Sequence, residues 1–130
     1  NEQSKHRFNY ADMRRANGGK QMKDVWTFTA PKSDEKTHGK HPTQKPVVLL
    51  ERILLAASNP GDFVLDPFMG GGTTAVAAAR RHRRCVGIEI DPGHLELAIR
   101  RLSRAVEDPR SSRSAVAQRT LQLPLANKGR

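Results

Sequence analysis

Phe63-Val64-Leu65-Asp66-Pro67-Phe68-Met69-Gly70-Gly71-Gly72-Thr73-Thr74 is the stretch on which the fold turns. Its first three residues are an apolar run without polar alternation, the pattern of a parallel strand covered on both faces. Asp66 and three consecutive glycines follow, so the backbone can turn sharply and approach a ligand with no Cβ in the way. Thr73 to Arg81 then reads as a helix whose small residues Ala75, Ala77, Ala78 and Ala79 let it lie close against a sheet. Strand, glycine turn and helix together are half of a β-α-β unit.

Working outward, Pro46 opens a preceding helix at its first position, with Leu50, Ile53, Leu54 and Ala57 at spacings of three and four. Asn59-Pro60-Gly61-Asp62 ends it. On the other side, Cys85 to Ile90 reads as a second strand. Asp91-Pro92 then supplies an N-cap and a first-turn proline for a third helix, with apolar stripe Leu95, Ala98, Ile99, Leu102 and Val106 and with Arg100, Arg101 and Arg104 on its other face. This order predicts an α/β fold, a parallel sheet with helices on both faces joined by right-handed crossovers. Ligands in such sheets bind beyond the carboxyl ends of the strands, where both the glycine turn and Glu89 fall.

The flanks carry weaker patterns. Residues 1–24 are polar and basic, with Gly18-Gly19 as a turn, and are expected to form a loop or arm. Val25-Trp26-Thr27-Phe28-Thr29, stopped by Pro31, fits a short strand in which Trp26 and Phe28 are core residues, and Ser33 to Lys40 fits an exposed connection. Residues 25–106 are thus read as the α/β domain, and 107–130 as a basic flexible tail in which Thr120-Leu121-Gln122-Leu123 is a candidate further strand.

With 130 residues and 36% hydrophobic content, the chain can bury one small core. No apolar stretch approaches the ~20 residues of a membrane span, and no signal peptide is visible, so a soluble, cytoplasmic protein is expected. The single cysteine, Cys85, lies in an apolar run and is read as a buried structural thiol, which leaves no disulfide and no zinc site. A net charge of +10 points to nucleic acid as a partner. From Arg100 onward, however, eight Lys or Arg face only Glu107 and Asp108, so much of that charge belongs either to a solvated tail or to a DNA-facing patch.

What the glycine turn binds is narrowed by elimination. A P-loop needs Gly-Lys followed by Ser or Thr, and here Thr73-Thr74 follows Gly72 with no lysine. The dinucleotide fingerprint needs G-x-G-x-x-G, which is also absent. Asp66 would repel a pyrophosphate, yet it favours a cationic ligand such as the sulfonium and α-amino group of S-adenosylmethionine. Glu89 lies 23 residues beyond Asp66, near the ~20-residue offset at which a carboxylate accepts hydrogen bonds from ribose hydroxyls. Asp91 is read as a helix cap rather than a ligand.

Three segments now stand in order: His41-Pro42-Thr43-Gln44-Lys45-Pro46, Asp66 through Thr74, and Gly87-Ile88-Glu89-Ile90-Asp91. They resemble successive motifs of bacterial site-specific DNA methyltransferases acting on exocyclic amines (adenine-N6 or cytosine-N4), over roughly residues 22–104. The resemblance implies a partial Rossmann-like S-adenosylmethionine-dependent methyltransferase fold, with the motifs in the permuted β-type order. By it Asp66, Phe68 and Gly70 line the methionine end of the cofactor, Glu89 holds the ribose and Ile90 packs on the adenine, with Gly72 and Thr73 also counted among the cofactor-binding residues. Thr43 and Lys45 sit near the methionine carboxylate, in keeping with a hydroxyl and an ammonium just before a helix N-terminus. His41 is expected to fix loop structure.

The family also carries an Asp- or Ser-Pro-Pro-aromatic catalytic motif, and this sequence contains no Pro-Pro pair. The expectation is therefore a C-terminal cofactor-binding part without catalytic residues of its own, inactive alone and completed by an N-terminal catalytic and target-recognition part. The resemblance implies double-stranded DNA as partner, a role in DNA methylation and restriction-modification, and direct methyl transfer to a base flipped from the duplex. It leaves a homodimer open. The rival reading is a non-catalytic cofactor- or DNA-binding subunit of a split or degenerate methyltransferase.

Overall fold

The computed structural model describes residues 6–39 and 41–107. In chain order these form α1 (Tyr10–Ala16), a 3-10 turn (Ser33–Lys36), α2 (Val47–Ala57), β1 (Phe63–Asp66), α3 (Thr73–Arg80), β2 (Arg84–Gly87) and α4 (Pro92–Glu107). Residues 108–130, with the candidate strand at 120–123, lie outside the described residues.

β1 and β2 pair in parallel with Phe63 opposite Arg84, Val64 opposite Cys85, Leu65 opposite Val86 and Asp66 opposite Gly87. The register matters for function, because it brings the carboxyl ends of both strands level, with Asp66 beside Gly87. On one face, Val64 and Cys85 pack against a core of Val47, Leu54, Val76, Ala77, Ala78 and Ala105 from α2, α3 and α4. Ala77 and Ala78 are fully buried, so α3 sits close to the strands, as its small side chains require.

The expectation that β1 is covered on both faces is corrected. Phe63 is 70% and Leu65 65% exposed, and Val86 and Ile88 share this open face. Among the described residues the helices pack on the Val64 and Cys85 side, and only the Arg84 guanidinium, 5.0 Å above the Phe63 ring, shields the other.

Four further readings change. The segment 1–24, expected as a loop or arm, contains α1. This helix is seven residues long and buries only Met13, too little apolar periodicity to announce itself in sequence. It is held instead by Asn9, whose amide donates to the Leu55 and Ser58 carbonyls at 2.9 and 2.8 Å. Residues 25–29 form no strand; Trp26 and Phe28 meet edge to face and lie half-buried beneath the Arg52 guanidinium. The aromatic packing that makes such residues good strand formers is satisfied here by a side chain of α2. Finally, α4 is turned from its expected face. Leu97, Ala98, Arg101 and Ala105 point inward, while Ile99 and Val106 are 48% and 54% exposed. Small alanines rather than the larger Ile99 and Val106 fit the narrow gap beside α3. Pro46 stands one place earlier than expected, at the N-cap of α2 rather than inside it.

Candidate cofactor site

The glycine turn is laced to the chain that leaves β2. The Ile88 N–H donates to the Asp66 carbonyl and the Met69 N–H to the Ile88 carbonyl, both at 2.9 Å. The Met69 thioether lies against Gly87, where any Cβ would collide with it. Gly70 and Gly72 adopt φ of +52° and +74°, the left-handed region open to glycine at no steric cost. A Cβ on Gly72 would stand 2.7 Å from that of Ala98, and one on Gly70 would stand 3.0 Å from the His41 ring. Gly72 therefore serves the approach of α4 to the start of α3, and Gly70 the approach of the 41–46 turn.

Glu89 closes the site. Its carboxylate accepts the Gly70 N–H at 2.7 Å on one oxygen and the Asp91 N–H at 2.9 Å on the other. The Asp91 N–H foremost, then those of Gly70 and Ile90, hold the Glu89 carboxyl below its ordinary pKa against a smaller opposing effect of burial. An ionised carboxylate with free lone pairs is thus fixed between the glycine turn and the following loop. Asp66, half-buried at the end of β1, accepts the Phe68 N–H at 3.2 Å. Phe68 and Ile90 project almost fully into solvent, 89% and 98% exposed. Asp91 caps α4, accepting the His94 N–H at 2.8 Å, as its position before Pro92 implies.

The 41–46 turn joins the site from the α3 side. The Thr73 hydroxyl donates to the Lys45 carbonyl at 3.3 Å, and the Lys45 ammonium folds back onto the Thr43 carbonyl at 2.8 Å. The His41 Nδ1 receives the Thr43 N–H at 3.3 Å, and its ring lies 4.2 Å from that of His94. Burial first, and His94 second, hold the His41 imidazole below its ordinary pKa. No side chain caps α3, so its leading N–H groups remain available next to Thr43 and Lys45.

The nine residues read as cofactor ligands therefore gather at one end of the sheet, in two layers. Thr43, Lys45, Asp66, Phe68, Gly70, Glu89 and Ile90 are exposed or half-buried, whereas Gly72 and Thr73 are buried behind them. One member escaped the sequence reading. Arg101, placed there on the face opposite the apolar stripe of the third helix, is 6% exposed and donates to the Gly71 carbonyl and the Thr73 hydroxyl.

Residues 1–100 match the DNA methylase family. The chain belongs to that family. It is 54% identical over 99 residues to the Type II methyltransferase M2.DpnII of Streptococcus pneumoniae, covering 76% of this chain and 37% of that protein. It is 50% identical over 101 residues to the Type II methyltransferase M2.LlaDCHI of Lactococcus lactis subsp. cremoris, covering 78% and 38% respectively. Among solved structures it is similar to M1.HpyAVI in the crystal structure of that protein's SAM complex, with 36% identity, a TM-score of 0.60, and coverage of 77% of this chain and 45% of that one. The chain thus spans less than half the length of these relatives.

Proposed function

We propose that this chain is the S-adenosylmethionine-binding part of a DNA amino-methyltransferase. The observation that carries the reading is the Gly70 to Glu89 hydrogen bond at 2.7 Å, which sets a carboxylate beside the glycine turn at the carboxyl ends of two parallel strands. In this reading Glu89 accepts the ribose hydroxyls, Asp66 faces the cationic methionine end with Phe68 and Gly70, and Ile90 offers its exposed surface to the adenine. Thr43 and Lys45 meet the methionine carboxylate near the start of α3, while Gly72 and Thr73 hold the turn in shape. The donor set fits the group: two carboxylates for its cationic and hydroxylated parts, and two exposed apolar side chains, Phe68 for the methionine end and Ile90 for the adenine. When bound, S-adenosylmethionine supplies an activated methyl on a sulfonium.

The complete enzyme, in this proposal, methylates the exocyclic amine of adenine or cytosine in double-stranded DNA, as part of a cytoplasmic restriction-modification system; its relatives bear the name Type II methyltransferase. A part carrying the Pro-Pro-aromatic motif and the target-recognition region precedes the present motifs in the permuted order. No nucleophile is required of this chain; its work is to bind and orient the cofactor. Transfer of labelled methyl groups to double-stranded DNA is expected when the chain is mixed with such an upstream part, and not from the chain alone. Methylation by the isolated chain would contradict the proposal.

A further inference from the structure

Arg101 sits where an arginine is costly. It is 6% exposed, and among the described residues no carboxylate lies within ion-pair distance of it. A buried guanidinium persists only if its donors are satisfied. Here one Nη is spent on the glycine turn and the start of α3, bonding both the Gly71 carbonyl and, at 3.2 Å, the Thr73 hydroxyl. That hydroxyl has one proton, and it passes it on to the Lys45 carbonyl at 3.3 Å. The chain of bonds therefore runs from α4 through the start of α3 to the Thr43–Lys45 turn. Packing repeats the same message. A Cβ added to Gly71 would stand 3.2 Å from the Arg101 guanidinium and 3.2 Å from the His41 Cβ, so Gly71 is the spacer between α4 and the 41–46 turn.

We infer that Arg101 is a positioning residue for the cofactor site, locking the glycine turn and the Thr43–Lys45 turn into one arrangement through Gly71 and Thr73. It touches no ligand itself, and the inference rests on the S-adenosylmethionine reading above. The arrangement explains why a charged side chain occupies the inward face of α4. An apolar residue of similar length would fill the space yet leave the Gly71 carbonyl and the Thr73 hydroxyl without their donor.

The test is calorimetric titration of S-adenosylmethionine into the whole chain, at a temperature where melting curves show each variant folded. Arg101→Met is expected to weaken affinity by about tenfold, the loss of a charged hydrogen-bond donor from a buried network. Arg101→Lys, which keeps a cationic donor of nearly the same reach, is expected to recover affinity to within about threefold of the parent. A merely structural role would lower the melting temperature of both variants without changing the affinity of the folded protein, and that result overturns the inference. Should Arg101→Met fail to fold, Thr73→Val decides. It breaks the link to Lys45 while keeping the arginine, and undiminished affinity there overturns the inference equally. Absence of binding by the parent chain is a different outcome, which removes the cofactor reading itself.

Discussion

Gly72 holds a φ of +74° with the Cβ of Ala98 directly before it, so two independent constraints forbid a side chain. Gly72→Ala is expected to destabilise the fold by about 2 kcal/mol or more in urea unfolding, since the left-handed conformation alone costs roughly 1–2 kcal/mol. Gly61 is also left-handed, at +88°, but open space surrounds its missing Cβ, so Gly61→Ala is expected to cost less. Equal losses at the two positions would argue against close packing of α4 on the turn. Cys85 offers a second measurement at this scale. Burial, and secondarily the charge of Asp66, push its thiol up to about 11. Thiolate is the reactive form, so at pH 8 disulfide reagents should modify the folded protein on the order of a hundredfold more slowly than the unfolded chain. Rapid labelling of the folded state would show an open thiol. The proposed ligand residues stood out in sequence because chemistry and spacing coincide: Asp66 ends β1, and Glu89 follows β2, which stops at Gly87, three residues short of the Ile90 expected from the apolar run. Arg101 was not legible. In sequence it stands beside Arg100 and Arg104 like any residue of a solvated stripe, and only the rotation of α4 carries it inside.

At the scale of elements, α4 depends on its first turn. Asp91 accepts the His94 N–H, and that bond foremost, with the charge of His94 behind it, lowers the Asp91 carboxyl pKa. A carboxyl whose folded pKa is depressed contributes stability that is present above its unfolded value, ~3.9, and is lost as pH falls through the folded value. Asp91→Ala should therefore lower the urea midpoint at pH 7, with the difference from the parent shrinking as pH drops below about 4. A difference independent of pH would mean that the cap is not ionised. At the other end of the molecule, Arg83 closes α2 by donating to the Ser58 carbonyl at 2.6 Å and the Ser58 hydroxyl at 3.1 Å. The central elements α2, β1, α3, β2 and α4 could be read in advance because turn residues bound each one: Pro46, Asn59 to Asp62, the three glycines, and Asp91-Pro92. α1 and the 25–29 segment could not, because what holds them is Asn9 on the end of α2 and Arg52 across two rings. Those are tertiary contacts without a local pattern.

For the whole molecule, the basic composition proves a poor guide to where DNA would lie. In the run Arg80-Arg81-His82-Arg83-Arg84, Arg80 and Arg81 pair with Glu51, Arg83 is buried and Arg84 covers Phe63. Arg100 pairs with Glu96, Arg101 is internal, and Arg104 donates to Thr37. Much of the charge in the described residues therefore holds the fold together. Among the described residues, exposed apolar groups, two carboxylates and uncapped N–H groups converge at the mouth of the glycine turn. Titration of S-adenosylmethionine into the chain by calorimetry addresses that place directly. The parent chain is expected to bind, and Asp66→Ala and Glu89→Ala are each expected to weaken binding by about tenfold or more. Binding unchanged in both variants, or absent from the parent chain, would contradict the assignment of this site.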